Sequence, residues 1–469
     1  MTDLAAQLVR GRSPKAVLLA LDIALIALFW SAAAFVLAQL QPPAIRPPPL
    51  ALLLYPLLFG LFLYALGLYR RDALVERRRA LGRVPFAAGL AALVGSVTAL
   101  LPPPLHNPSA LACFAAALAA LPAAGALSRL VFAALRRGAA FRCRLLVVGA
   151  GARAWDLLWL MQKEGRRVQY EVILLHDPAL GALDPRLASD PEVRIVEASG
   201  DYLATARAED VEQIVVAPDE RRGLPMQALL RCRTAGFPVS EYARFVEREI
   251  GRIDLKRLDL AALLYTDGFT LGLLDRALKR GLDVAASLAV LTLTLPFLLA
   301  AMLAVRLEDG GPALYRQARV TQGGRVFHIL KLRTMRVDAE RAGAQWAAER
   351  DPRITRIGLF LRRTRLDELP QLFNILRGDM SFVGPRPERP EFTAELAAKL
   401  PLYDERHLVK AGLTGWAQIN YPYGASLDDA RSKLSYDLYY VKNFSLFFDV
   451  VIILQTLRAV LFPASAGAR

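Results

Sequence analysis

Residues 16–136 contain apolar runs long enough to cross a lipid bilayer, which excludes a single water-soluble globule. Ala16–Leu40 carries one charge, Asp22, and Leu50–Tyr69 carries none. Val84–Ser128 is also free of formal charge, and its 45 residues are about twice the ~20 that one crossing needs. Pro102, Pro103, Pro104, Asn107 and Pro108 divide it into two helices and a short hairpin, so the reading is four transmembrane helices. No small-residue cleavage site precedes the second run, so the expectation is an uncleaved segment.

Charge sets the orientation of such a region. Arg10, Arg12 and Lys15 precede the first run, six arginines lie at 70–83, and Arg136 and Arg137 follow the fourth. The opposite loops contain only Arg46. The N-terminus and everything after residue 137 are therefore expected on the cytoplasmic side of the membrane. The formal charge of +15 (59 basic, 44 acidic residues) fits this topology and anionic partners such as lipid phosphate or nucleotide. No basic segment carries interleaved aromatics, so nucleic acid is not expected. Cys113, Cys143 and Cys232, and four scattered histidines, offer neither a disulfide framework nor a zinc site.

Residues 143–262 alternate short apolar runs with amphipathic stretches, the pattern of a parallel sheet covered by helices. Strands are expected at Cys143–Val148, Tyr170–His176, Gln213–Ala217 and Pro238–Tyr242. The first ends at Gly149-Ala150-Gly151-Ala152-Arg153-Ala154, a G-x-G-x-x-A turn. Such a turn either presents helix N–H groups to a dinucleotide pyrophosphate, with Gly149 and Gly151 as cofactor-binding residues and Asp177 as ribose-binding acid, or simply reverses the chain tightly. No Tyr-x-x-x-Lys pair occurs, which weighs against a nucleotide-sugar dehydratase.

Arg353, Arg356, Arg362, Arg363 and Arg365 fall within thirteen residues that include no acid. Asp367 and Glu368 follow, and Leu369, Leu372, Phe373 and Leu376 then mark one apolar helical face. Pro370 is tolerated only in a first turn, which puts the two acids at the helix N-terminus, where a carboxylate stays ionised. Asp367 is there either a plain cap or a group facing whatever phosphate the arginines collect. Lys331 and Arg333 alternate along an apolar stretch as an exposed strand face or as substrate contacts. Arg386 stands between two prolines; Asp379 reads as a turn cap, Trp416 and Tyr436 as core or interface residues, and His407 as a surface histidine.

Residues 275–463 resemble the bacterial sugar transferase family, the polyprenyl-phosphate hexose-1-phosphate transferases. The resemblance rests on Tyr315-Arg316-Gln317, Lys331-Leu332-Arg333-Thr334-Met335 and Asp351-Pro352-Arg353 through Gly358. It continues through Leu366-Asp367-Glu368-Leu369-Pro370-Gln371-Leu372, the run Gly378–Pro387, Gly412–Gln418 and Tyr436–Asn443. It implies transfer of a sugar-1-phosphate from a nucleotide diphosphosugar to undecaprenyl phosphate, with Asp367 as phosphoryl nucleophile and Glu368 holding Mg2+. Lys331, Arg333, Arg362 and Arg386 would neutralise phosphate charge. Ala411 stands where many relatives have proline, and Asn420-Tyr421-Pro422 where many continue Asn-Gly-Arg, which leaves the sugar open.

The expected fold is a four-helix transmembrane region (1–140), a Rossmann-like α/β domain (141–263) and an α/β catalytic domain (264–469) with a re-entrant membrane helix at 278–305. A chain beginning near Thr266 should keep the chemistry, while the upstream parts offer contacts for a homodimer. Val284–Val305 is uncharged for 22 residues, yet basic residues flank it on both sides, so it is expected to break at Pro296 and return to the same face. Phe444–Phe462 is expected to lie in the interface. The rival readings are a membrane-bound NAD-dependent dehydratase and a non-catalytic nucleotide-sugar sensor.

Overall fold

The computed structural model describes residues 14–40, 49–69, 77–99, 108–136, 142–165, 167, 170–257, 268–269, 272–337, 339, 351–421, 424 and 426–462. They form two compact units, Met1–Ile250 and Gly251–Arg469. The expected boundary at 263/264 lies outside the described residues. The observed division comes earlier because the start of the second unit is buried in its own core. Ile253 N–H donates to Ser435 O at 3.0 Å, and Ile253 and Leu255 pack on Leu400, Tyr403, Leu434 and Leu438. Trp416 Nε1 donates to Gly251 O at 2.6 Å, and the Arg252 guanidinium lies over the Tyr436 ring.

In the first unit the apolar runs are helices α1 (Pro14–Leu40), α2 (Pro49–Ala65), α3 (Arg77–Ala99) and α4 (Pro108–Arg136). Lys15–Gln39 and Ala115–Leu135 are long and apolar enough to cross a membrane, while Leu53–Ala65 and Ala80–Gly95 are shorter apolar stretches. The hairpin expected around Pro102–Asn107 lies outside the described residues. Asp22 is not isolated. It forms a buried ion pair with Arg129 of α4 and accepts from Tyr69 Oη at 2.7 Å and Ser128 Oγ at 2.6 Å. A charge in an apolar bundle persists when its partners sit on neighbouring helices, and this cluster ties α1 to α4.

The sheet of this unit is parallel, with strand order β3-β2-β1-β4-β5. The strands are β1 (Cys143–Val148), β2 (Tyr170–His176), β3 (Arg194–Glu197), β4 (Gln213–Val216) and β5 (Val239–Glu241). Leu145 and Val147 pack into one core, and Leu146 and Val148 into another on the opposite face. That two-sided burial is why these strands read as unbroken apolar runs. Strand β3 escaped the sequence reading because it is a four-residue edge strand, partly exposed, without an apolar run.

In a sheet of this order a ligand crevice opens beyond the carboxyl ends of β1 and β4, where the strand order reverses. Here the chain fills it. Asp219, in the loop after β4, accepts from Ala152 N at 2.7 Å and Arg153 N at 2.8 Å. Those are the first N–H groups of α5 (Ala152–Lys163), the ones a pyrophosphate would use. A Cβ on Gly151 would stand 2.0 Å from Asp219 Oδ2, and one on Gly149 would meet Ala217 O at 2.8 Å. Both glycines therefore permit close packing of the β4 exit loop against the turn expected to bind a cofactor. Asp177 accepts from Ala179 N and Tyr202 Oη instead of standing open for a ribose. The dehydratase reading loses its structural basis.

The second unit is organised around α6 (Leu273–Asp309), which runs through Pro296 as one helix instead of dividing there. Proline removes one N–H bond, and the flanking turns keep theirs; Thr294 Oγ1 donates back to Val290 O at 2.7 Å. Both ends of α6 dock on the same unit. Near its start, Lys279 Nζ lies 2.6 Å from Asp449 Oδ2, and Asp283 accepts from Ser381 Oγ and Phe382 N. Near its end, Leu298, Ala301 and Val305 pack on Leu332 and Leu361. Its outward side carries Leu293, Phe297, Leu299, Leu303 and Leu307. The terminal helix α10 (Leu446–Leu461) has the same inverted arrangement, with Asp449, Gln455 and Arg458 buried while Phe447, Val460 and Leu461 face out.

Two predictions follow from this packing. A chain starting at Gly251 should be more stable than one starting at Thr266 by about 3–6 kcal/mol, the burial of Ile253 and Leu255. Thermal unfolding in detergent should show a midpoint gap of order 10 °C; equal midpoints would dismiss the contribution. Calorimetric titration of the intact protein with NAD should show no saturable binding, and Asp219→Ala should cost about 1 kcal/mol of stability as a lost helix cap. Tight NAD binding with Asp219 in place would overturn the filled-crevice account.

Candidate active site

Three elements converge on the acid pair. The antiparallel hairpin of β6 (Leu314–Val320) and β7 (Val326–Leu332) supplies Lys331, which pairs in register with Tyr315. Helix α7 (Arg356–Thr364) supplies Arg362. A Cβ on Gly358 of this helix would stand 2.1 Å from Thr334 O, so only glycine lets α7 lie so close to the exit of β7. Arg365, which ends α7, has φ 61°, a left-handed conformation costing about 1 kcal/mol for a residue with a side chain. That turn swings the chain into the short 3-10 turn Leu366–Glu368, which holds both acids.

The acids precede helix α8 (Gln371–Arg377) by a turn, with Pro370 as its N-cap. This places them slightly ahead of the expected first helical turn. Asn374 of α8 fixes the helix against β7: its Nδ2 donates to His328 O at 2.8 Å, and its Oδ1 accepts from Leu330 N at 2.9 Å. These bonds set Lys331 opposite Glu368. Arg280 of α6 donates to Ile375 O and Leu376 O and so satisfies the last carbonyls of α8.

Glu368 Oε1 faces two cations, Arg386 Nη2 at 2.9 Å and Lys331 Nζ at 3.4 Å. Burial opposes its ionisation, but Arg386, Lys331 and Arg365 outweigh burial and hold its carboxyl well below the usual range. Asp367 moves the other way. Burial and the neighbouring Glu368 charge push it up, against the pull of Lys331, Arg365 and Arg362. Its Oδ1 is buried and has no hydrogen-bond partner. The two adjacent carboxyls are thus pushed in opposite directions by their environment. Lys331 is itself pushed down, by burial first and then by Arg386 and Arg319, against the opposing pull of Glu368 and Asp367.

The sequence candidates do not all meet here. Lys331, Arg386 and Glu368 form one cluster; Arg362 donates to Thr334 Oγ1 at 2.9 Å, and its charge reaches Asp367. Arg333 is directed elsewhere. It makes a two-pronged ion pair with Asp309 at the end of α6 and donates to Pro312 O, because β7 ends at Leu332 and the strand alternation ends with it. Its expected phosphate contact gives way to a structural one. Asp379 pairs with Arg325 away from the acids. Tyr436 is buried, whereas His407, expected at the surface, has a side chain only 10% exposed. Burial pushes His407 down to about 4.

Sequence reasoning missed Arg319, Asn374, Arg406 and Asp437. Asn374 and Gln371 are the two polar residues buried on α8, and that polar pair among apolar neighbours was the available signal for Asn374. Nothing local couples Arg406 to Asp437, which lie 31 residues apart.

Among the described residues no group of three or more His, Cys, Asp or Glu converges. Asp367 and Glu368 offer two carboxylates, the number magnesium takes when substrate phosphates complete its shell.

The bacterial sugar transferase family description matches residues 274–463. A UDP-N-acetylgalactosamine-undecaprenyl-phosphate N-acetylgalactosaminephosphotransferase of Aeromonas hydrophila is 40% identical over 254 residues, 54% of this chain and 58% of that protein. The chain thus spans little more than half the length of that relative. A UDP-glucose:undecaprenyl-phosphate glucose-1-phosphate transferase of Caulobacter vibrioides is 43% identical over 190 residues, 40% of this chain and 71% of that protein. Exopolysaccharide production protein PSS of Rhizobium leguminosarum is 41% identical over 189 residues, 39% of this chain and 94% of that protein. All three matches exceed 30% identity, and two cover more than two thirds of the relative, so the chain belongs to the bacterial sugar transferase family.

Proposed function

We propose that this protein transfers a sugar-1-phosphate from a UDP-hexose or UDP-N-acetylhexosamine to undecaprenyl phosphate, the first step of a cell-surface glycan. The observation that carries this reading is the acid pair itself, a buried Asp367 Oδ1 without a hydrogen-bond partner beside Glu368, which Arg386 and Lys331 meet at 2.9 and 3.4 Å. The relatives' names, which join UDP-sugars to undecaprenyl phosphate, support the choice of substrates.

The ionised Asp367 carboxylate attacks the phosphorus that bears the sugar. A new P–O bond forms, the bond to the bridging oxygen breaks, and uridine monophosphate leaves with that electron pair. An oxygen of undecaprenyl phosphate then attacks the same phosphorus and releases the Asp367 carboxylate. Two anionic substrates would repel each other in one site, and the covalent intermediate lets them visit in turn. Raised basicity makes Asp367 the better nucleophile of the two acids. Lys331, Arg362 and Arg386 meet the charge on the transferred and leaving phosphates. Glu368, with the diphosphate, would hold Mg2+, which when bound neutralises diphosphate charge.

The four N-terminal helices read as membrane crossings with the second unit on the cytoplasmic side. The docking of both ends of α6 on one unit supports its entering and leaving by the same face.

Asp367→Asn should abolish both turnover and the sugar-phosphate adduct seen by mass spectrometry, a loss of about 10³-fold or more. Glu368→Gln should lower turnover by about 10²-fold and weaken the magnesium dependence. Near-normal turnover by Asp367→Asn would sink the covalent mechanism. For topology, single cysteines at Arg276 and Leu307, in a chain lacking native cysteines, should both be shielded from impermeant reagent in intact cells. Labelling of one alone from outside would mean that α6 crosses the membrane.

A further inference from the structure

The loop carrying Arg386 is held in an unusual way. Four consecutive carbonyls, from residues 385 to 388, each accept a hydrogen bond, the donors coming from three separate parts of the chain. Gly412 N donates to Pro385 O at 2.8 Å, Arg406 Nη2 to Arg386 O at 2.9 Å, Arg319 Nη1 to Pro387 O at 2.9 Å and Val320 N to Glu388 O at 3.0 Å. Pro385 and Pro387 fix φ on either side of Arg386 and have no N–H to offer, so the loop cannot anchor itself through a ladder of its own.

Two of the four donors are guanidinium groups withdrawn from water. Arg406 is 5% exposed; its Nε and Nη2 both reach Asp437 Oδ2, at 3.2 and 2.7 Å, and Nη1 donates to Tyr403 Oη. Arg319 is braced by Gln317 Oε1 through Nε and Nη2 and lies 3.6 Å from Glu388 Oε2. Burying an ion pair such as Arg406–Asp437 contributes little net stability compared with an apolar pair of the same volume. What an apolar pair cannot do is donate to a carbonyl while being oriented by a fork of other bonds.

We propose that Arg319 and Arg406 are positioning residues, a two-point clamp that fixes the backbone on both sides of the Arg386–Pro387 bond so that the Arg386 guanidinium stands at Glu368 and the incoming diphosphate. The inference rests on the reading of Arg386 as a phosphate contact. The clamp confers rigidity before substrate arrives: Arg386 needs no loop rearrangement to exchange part of its bonding from Glu368 Oε1 to a phosphate oxygen. Lysine at either clamp position keeps the charge but loses the fork, so it cannot hold both its acidic or amide partner and the loop carbonyl.

The test is a double-mutant cycle on the full-length protein in lipid nanodiscs. The readout is UMP release with undecaprenyl phosphate from UDP-glucose, UDP-galactose, UDP-N-acetylglucosamine and UDP-N-acetylgalactosamine. With the sugar turned over fastest, Arg406→Lys and Arg319→Lys should each lower kcat/KM at least tenfold in the wild-type background. In an Arg386→Gln background the same substitutions should lower it less than twofold, because the group they position is gone. Equal fold-losses in both backgrounds would overturn the clamp and leave a general stabilising role. Arg319→Lys, nearer the surface, decides the matter should Arg406→Lys not fold. Wild-type kcat/KM in Arg386→Gln alone would instead remove the phosphate-contact reading, and the clamp's purpose with it.

Discussion

The second unit depends on one buried ion pair. Lys279 Nζ sits 2.6 Å from Asp449 Oδ2, donates to Val383 O at 3.1 Å and lies 3.3 Å from Tyr440 Oη, which in turn donates to Asp449 Oδ1. This knot joins α6, α10, strand β8 (Ser381–Val383) and helix α9 (Leu427–Lys442). Loss of one partner from such a pair costs about 3–5 kcal/mol because it strands the other charge. Strand β8 leads directly into the loop that bears Arg386, and α6 caps the helix that follows the acid pair. The acid pair and its cations are therefore positioned through a scaffold whose anchor is electrostatic.

That anchor explains the inverted character of α6 and α10. Lys279, Asp283, Asp449 and Arg458 are buried against the folded unit, and leucine and phenylalanine face outward. An amphipathic helix in water has the reverse arrangement. The outward apolar residues suit an acyl environment, while the inward Lys279 and Asp449 pair with each other and Asp283 accepts from Ser381 and Phe382. The first unit solves the same problem inside its bundle, where Asp22 is met by Arg129 and Ser128 of α4 and by Tyr69 in the turn after α2.

Much of this organisation was legible in the sequence. The limits of β1 and β2 and the positions of the four apolar helices follow from runs whose length and periodicity are local properties. The acid pair and Lys331 were legible because they sit in contiguous motifs. What escaped has a common physical cause. Asp219 in the turn, Asp309 on Arg333 and Asp437 on Arg406 are partners separated by 24 to 67 residues. A fingerprint shows that a helix terminus can take an anion; it does not show that the chain itself supplies one. The alternation of Lys331 and Arg333 likewise promised a shared face, but the strand stops between them.

The separation within the Lys279–Asp449 pair, 170 positions along the chain, has a consequence for biosynthesis. At translation rates of about 5–20 residues per second, α6 leaves the ribosome roughly 10–30 s before its counter-ion exists. During that interval a long apolar helix carries an unmatched ammonium and an outward face suited to lipid. Such a helix is long and apolar enough to cross a bilayer, and its outward leucines make it a poor candidate for free solution. The Lys279 ammonium finds its counter-ion only when the helix that carries Asp449 has been made and docks.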